Sequence, residues 1–187
     1  TRMRATSSLE GIAVIVTNGP AHGVEATLLS LGAQTRSPLT RHVAASAAAG
    51  EQLLAATSVP HLGVLFLAAG ETIEPAFLAA AAGVLDRCAE VGIVSCWAHR
   101  GPGTAPHFGC NPCFPYQWLR HEAVGPWLVR GEALTAAGGH PPDVPEPFAR
   151  WELCNAILAA GWSAVTIPVL LVASPGTDGA PLRSTRL

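Results

Sequence analysis

Four short apolar runs alternate with helical segments in the first half of the chain, and this order constrains the fold more than any other feature. The runs cover residues 11–17, 39–45, 62–67 and 91–96. The third run is apolar except for Gly63, so we expect both of its faces to be covered. Strands that alternate with helices at this spacing predict a mostly parallel sheet with right-handed crossovers. In such sheets ligands bind beyond the carboxyl ends of the strands.

The segments between these runs have the signals of helices. Val24, Leu28, Leu29 and Leu31 recur at helical spacing, which predicts an apolar face on the first helix. An Ala-rich helix follows the second strand and ends near residue 57. A third helix is predicted over residues 75–90, where Pro75 fits the first turn.

The second half of the chain contains shorter elements and two loops rich in proline. The first loop, residues 98–116, holds four Pro, three Gly, two His and two Cys. A short strand over 127–129, a helix over 131–137 and a second loop over 138–147 follow it. A helix over 148–160 and a last strand over 165–172 complete the pattern, and Pro168 predicts an edge or a bulge in that strand.

Few charges and many apolar residues limit the partners that this chain can have. Apolar residues make up 49% of its 187 residues, charged residues make up 13%, and the formal net charge is -2. This balance provides no broad positive field, so we expect no nucleic acid and no anionic lipid as a partner. Because little charge is left for a fully solvated surface, we expect another protein, or another domain of a larger polypeptide, to cover part of it.

One domain over residues 11–173 is predicted, with tails at 1–10 and 174–187. The longest apolar stretches, 77–85 and 164–173, are shorter than the roughly 20 residues that span a bilayer, which predicts no membrane-spanning helix. Five cysteines in a chain without a secretory signal predict a reducing, cytoplasmic compartment.

Five segments resemble those of a known family in order and spacing. They are IAVIVTN (12–18), VEATLLSLGAQT (24–35), VLFLAAGE with IEPAFL (64–78), WLVRGEAL leading to a Gly pair (127–139), and WELCNAILAAGW (151–162). Together they resemble the family 2 glycosyltransferases. The resemblance implies a GT-A-like, Rossmann-like α/β domain with a mostly parallel sheet flanked by helices. It also implies inverting transfer of a sugar from a nucleotide diphosphate sugar, with Mn²⁺ or Mg²⁺ as the cofactor.

The carboxylates that this chemistry needs are absent from the positions that match the family's motifs. The second strand ends in Ala44-Ala45, the DXD position reads Ala68-Ala69-Gly70, and the acidic pair that supplies the catalytic base reads Ala149-Arg150. A divalent cation on the diphosphate wants carboxylate ligands, and the acceptor hydroxyl needs a base. The sequence therefore predicts a degenerate glycosyltransferase-like domain, a pseudoenzyme with an accessory or scaffold role.

The alternative is an active glycosyltransferase whose acids lie elsewhere in the chain. Glu71 is then the metal ligand, and the candidate bases are Asp143, Glu146 and Glu152. The plainer interpretation is that these acids favour helix starts or are solvated. If a nucleotide sugar binds, the candidates at the carboxyl ends of the strands are Thr17, Asn18, Ser46 and Glu71.

A third hypothesis is a zinc-stabilised interaction module. Cys96 and His99 form one close pair of possible ligands, and Cys110 and Cys113 form another. Tetrahedral Zn²⁺ takes this mixture of thiolate and imidazole ligands. Against it, Cys96 ends a predicted strand and can equally be a small buried apolar residue.

Overall fold

One curled, seven-stranded sheet with helices on both faces organises the residues that the structure describes. The structure is a computed structural model that describes residues 11–57, 61–99, 101, 105–119, 125–145 and 148–174. Its strands are β1 (Ile12–Thr17), β2 (Thr40–Ala44), β3 (Gly63–Ala68), β4 (Thr72–Ile73), β5 (Val91–His99), β6 (Trp127–Arg130) and β7 (Ser163–Ala173). Its helices are α1 (Ala21–Gly32), α2 (Ala47–Thr57), α3 (Phe77–Arg87), α4 (Tyr116–Leu119), α5 (Gly131–Ala137) and α6 (Phe148–Ala159).

The order of the strands is β2-β1-β3-β6-β5-β7-β4. The ladders of β1 with β2, of β1 with β3 and of β5 with β7 are parallel. The short strands β6 and β4 run antiparallel to their neighbours. This confirms the predicted α/β fold with a mostly parallel sheet. The position of β6, between β3 and β5, has no signal in the sequence.

Two apolar clusters cover the two faces of the sheet. One cluster joins Val14 and Leu65 to residues of α1 and α3. The other joins Ile15 and Phe66 to residues of α2, α5 and α6. Because successive side chains of a strand point to opposite faces, a strand covered on both sides must be apolar throughout. The cover on both faces explains the continuous apolar runs of β1 and β3. For β3 this cover was predicted from the sequence.

The buried face of α1 agrees with the predicted one in part, since Leu31 is buried and Leu28 packs against the core. The structure buries Gly23, Thr27 and Leu31, whereas Leu29 is 69% exposed. Apolar spacing alone is misleading here because Thr27 is held inside by hydrogen bonds and needs no apolar side chain to be buried. The helix also begins at Ala21, earlier than the apolar pattern indicates.

Strand β7 contains the irregularity that Pro168 predicts. In the ladder with β5, Cys96 lies opposite Ile167 and Trp97 lies opposite Leu170, so two residues of β7 have no counterpart there. A proline cannot donate to a ladder, and a bulge removes that requirement. Two other bounds shift: α3 begins at Phe77, after Pro75, and β5 continues to His99. Among the described residues no helix is long and apolar enough to cross a membrane.

Arg130, the last residue of β6, ties three elements together inside the protein. Its side chain is buried, its Nε donates to Val91 O at 2.8 Å, and its Nη2 donates to Leu85 O at 2.6 Å and to Cys88 O at 2.9 Å. The guanidinium therefore satisfies carbonyls at the end of α3 and the start of β5. Buried carbonyls without a donor are costly, so this contact fixes how α3 meets the sheet.

We expect Arg130→Met to lower the free energy of unfolding by about 3 kcal/mol, because it leaves these buried carbonyls without their donor. Urea denaturation followed by circular dichroism measures the change. The control is Arg87→Met, since Arg87 is an exposed arginine at the end of α3. Equal stability of the two variants would contradict the proposed role of Arg130.

Candidate functional site

The carboxyl ends of β1, β2 and β3 meet at one edge of the sheet. The ladders align Thr17 with Ala44 on one side and with Ala68 on the other. Asn18 directly follows β1, Ser46 comes two residues after the end of β2, and Glu71 comes three residues after the end of β3. All four candidate nucleotide contacts, Thr17 included, therefore lie along one edge, where parallel sheets bind ligands.

The hydroxyl groups at this edge already have partners within the chain. Thr17 Oγ1 donates to Leu67 O at 3.4 Å. Ser46 Oγ accepts a hydrogen bond from Ala49 N at 3.2 Å, as a residue that caps a helix N-terminus does. The exposed Asn18 is held through its backbone, whose N–H donates to Ala44 O at 2.8 Å.

Glu71 folds back over the turn that joins β3 to β4. Its Oε2 accepts from Ala68 N at 2.7 Å, and its Oε1 accepts from Ser174 Oγ at 3.3 Å. The backbone N–H of Glu71 also donates to Ala68 O at 3.0 Å, and the residue is buried. One oxygen of this carboxylate thus closes the turn, and the other joins the turn to the residue after β7.

Helix α1 binds the same turn through a polar seam, which consists of Thr27, Ser30 and Gln34. Gly70 N donates to Thr27 Oγ1 at 2.9 Å. Ser30 Oγ accepts from Ile73 N at 3.3 Å. The Gln34 amide donates to Glu74 O at 2.8 Å and accepts from Leu78 N at 3.0 Å. Thr27 and Ser30, three residues apart, lie on one face of the helix, and Gln34 follows shortly after the helix ends at Gly32.

Small residues let the chain pass closely beside this turn. A Cβ atom at Gly19, in the loop between β1 and α1, would lie 2.6 Å from the Cβ atom of Ala69. A Cβ atom at Gly23 would lie 3.2 Å from Gly70 N. The segment Ala68-Ala69-Gly70 therefore packs directly against the start of α1.

The position to which the sequence resemblance assigns a catalytic base holds a cation. Arg150, on α6, donates from Nη1 to Gly125 O at 3.1 Å, and its guanidinium lies 5.7 Å from the ring centroid of Trp127. The preceding Ala149 is buried. Of the alternative bases, Asp143 and Glu152 are exposed, and Glu146 lies outside the described residues.

The structure does not bring the four predicted zinc ligands together. Within the described part of the chain no three His, Cys, Asp or Glu side chains form a group that could hold a metal ion. Because β5 continues to His99, the odd spacing places Cys96 and His99 on opposite faces of the strand. Cys96 is buried in the apolar cluster, while Cys110 and Cys113 are exposed.

One buried polar pair has no clear signal in the sequence. His140, in the loop after α5, places Nδ1 at 2.7 Å from Glu51 Oε1, and its backbone N–H donates to Glu51 Oε2 at 3.0 Å. A carboxylate only accepts, so Nδ1 carries the proton. The ring packs edge-on against Phe66, with 4.5 Å between centroids. Gly139 permits this approach, because a Cβ there would lie 2.5 Å from Glu51 Oε2.

Comparison with known proteins supports the fold. No protein-family model and no curated protein matches the sequence. S. aureus TarS 1–349 in complex with UDP-GlcNAc matches with a TM-score of 0.62 at 14% identity, over 91% of this chain and 60% of that one. The mannosyltransferase PcManGT from Pyrobaculum calidifontis, in complex with GDP-Man and Mn²⁺, matches with a TM-score of 0.61 at 16% identity, over 90% and 57%.

These similarities establish a GT-A-like glycosyltransferase fold for this chain. At identities this low they concern the fold alone. The chain spans about 60% of the length of these two neighbours.

We expect the cysteines to react in two groups. Burial raises the pKa of Cys96 and of Cys154 to about 12, so almost no thiolate forms at pH 8. Cys110 and Cys113 are exposed and should react quickly with a thiol reagent in the native protein. Mass spectrometry of peptides from protein alkylated at pH 8, with and without urea, identifies the groups. Rapid native labelling of Cys96 would contradict its assigned burial.

Proposed function

We propose that this chain is a catalytically degenerate GT-A domain that acts as an accessory or scaffold domain for another protein or domain. The observation that carries the proposal is the replacement of all three acidic positions in an otherwise intact framework. Ala44 ends β2 and Ala45 follows it, Ala68 ends β3 and Gly70 lies in the turn after it, and Ala149 and Arg150 lie in the first turn of α6.

A divalent cation does not fit the residues at the end of β3. Such a cation takes several oxygen ligands, and its role on a diphosphate is to neutralise the charge of the leaving group. Ala68 and Gly70 offer no side-chain oxygen. Glu71 is the one acid in this turn, and its two oxygens accept hydrogen bonds from Ala68 N and Ser174 Oγ. The carboxylate of Glu71 therefore stabilises the conformation of the turn.

The start of α6 offers no base. The guanidinium of Arg150 stays protonated in proteins and has no lone pair to accept a proton from an acceptor hydroxyl. Its place is determined by Gly125 O and by the face of Trp127. Glu152, two residues further along α6, is exposed while its neighbours Trp151 and Leu153 are buried.

Nucleotide binding without chemistry is compatible with this proposal. The neighbours bind UDP-GlcNAc and GDP-Man, as the names of their complexes state. In this chain Thr17, Asn18 and Ser46 lie at the edge where the parallel strands β1 and β2 end, and none of them carries a charge. We therefore propose that any nucleotide sugar bound here is held without a metal ion and is not turned over.

We expect no release of UDP from UDP-GlcNAc, and none of GDP from GDP-Man, above a heat-denatured control in the presence of Mn²⁺. Calorimetric titration of either nucleotide sugar should give the same affinity with and without Mn²⁺, within about twofold, because the turn after β3 lacks a set of carboxylates for the metal. The control protein is Glu71→Gln, which should behave like the wild type in both assays.

If the wild type hydrolyses either nucleotide sugar and the rate falls in Asp143→Asn or Glu152→Gln, the proposal is overturned. The affected residue is then a relocated catalytic acid. If Mn²⁺ raises the affinity of the wild type for a nucleotide sugar but does not raise that of Glu71→Gln, the turn binds a metal ion, which contradicts the proposal.

A further inference from the structure

One loop of the molecule turns apolar side chains outward. It comprises residues 105–119, between β5 and β6, and is called the aromatic loop below. Its 15 residues include no Asp, Glu, Lys or Arg. Five of its large apolar side chains are between 36% and 68% exposed: Phe108, Phe114, Tyr116, Trp118 and Leu119.

Polar groups of the aromatic loop form hydrogen bonds with the rest of the chain and hold the loop in place. Asn111 Oδ1 accepts from Thr166 N at 2.7 Å, and Cys110 O accepts from Thr166 Oγ1 at 3.0 Å. Gln117 is fully buried, and its carbonyl accepts from Trp151 Nε1 at 2.6 Å. The loop is therefore fixed to β7 and to α6 by its polar groups.

This arrangement is the reverse of an ordinary surface helix. In α4, Gln117 is buried while Tyr116, Trp118 and Leu119 face solvent. The rings of Phe114 and Trp118 pack on each other, with 4.6 Å between centroids, and leave their other faces open. Exposed apolar patches of more than a few hundred Å² mark interaction sites, and aromatic residues without charges are typical of interface cores.

We propose that the aromatic loop is the contact surface of a symmetric dimer, with the same loop of a second copy as its partner. A twofold interface places a patch against itself, so a patch with charges of one sign would repel its copy. The aromatic loop has none. The proposal goes beyond the accessory function proposed above, since association through this loop requires neither a nucleotide nor the sheet edge.

The exposed area is sufficient for such a contact. With roughly 200 Å² for a large apolar side chain, the five exposed residues leave roughly 550 Å² open on each copy. Two copies would then bury roughly 1,100 Å², which exceeds the roughly 1,000 Å² that a specific interface needs.

Other partners fit the loop less well. Anionic lipid or nucleic acid would require lysine or arginine side chains, and residues 105–119 have none. A sugar is recognised by hydrogen bonds in addition to stacking, but Asn111 Oδ1 is bonded to Thr166 N and the Gln117 side chain is buried. A neutral apolar surface is complemented best by another neutral apolar surface, and a second copy supplies one.

The test is the molar mass in solution, measured by size-exclusion chromatography with light scattering over a range of protein concentrations. We expect the wild type to reach twice the monomer mass of 19.2 kDa. Trp118→Glu and Tyr116→Glu should each weaken the dimer by roughly 30-fold or more, because each places like charges together at the centre of the contact. Circular dichroism confirms that the variants are folded.

The matched control is Leu29→Glu, which places the same charge at an equally exposed apolar residue. Leu29 lies on α1, whereas the aromatic loop is anchored to α6 on the other face of the sheet. Leu29→Glu should leave the dimer intact. A monomeric wild type at all concentrations would overturn the proposal, as would a dimer that survives Trp118→Glu. Cosedimentation of monomeric wild type with phosphatidylcholine vesicles, lost in Trp118→Glu, would assign the loop to a membrane surface and overturn it too.

Discussion

The polar seam between α1 and the turn after β3 fixes the backbone of the candidate site. Thr27, Ser30 and Gln34 bind the backbone from Gly70 to Leu78, and Glu71 closes the turn from the other side. Buried backbone groups must be satisfied, and here side chains of α1 satisfy them. The shape of this turn therefore does not depend on the side chains of residues 68 and 70, because none of these bonds involves them.

Most of the sheet could be predicted from the sequence, but the places where polar side chains are buried and hydrogen-bonded could not. Strands β1 and β3 were predictable because both faces of each are covered, which requires an unbroken apolar run. The buried face of α1 was not fully predictable, because Thr27 is buried by its hydrogen bonds and Leu29 is exposed to solvent. The pair of His140 and Glu51 joins residues 89 positions apart, and a contact of that range leaves no local pattern. The spacing of Cys96 and His99 suggested a zinc site because nothing in the sequence indicated that β5 continues through both residues.

The candidate site and the aromatic loop both follow carboxyl ends of strands in the same sheet. The aromatic loop comes after β5 in the chain, and β5 runs in the same direction as β3 because both are antiparallel to β6. Open α/β sheets bind ligands beyond the carboxyl ends of their strands. In this chain that edge combines polar groups already bonded within the protein with an uncharged apolar loop. A domain without the catalytic carboxylates could use the surface near this edge to bind another protein. Taken together, the two proposals describe a glycosyltransferase fold that functions in protein association.

The most direct test of the central claim is whether Mn²⁺ binds at the turn after β3. Amide spectra of ¹⁵N-labelled protein, recorded with GDP and increasing Mn²⁺, report this through paramagnetic broadening of nearby signals. The account predicts that the amides of Ala68, Gly70 and Glu71 broaden no more than that of the remote Arg130. Selective loss of the three signals at low Mn²⁺, reversed by a chelator, would show a metal site at the turn and contradict the claim that the domain is degenerate.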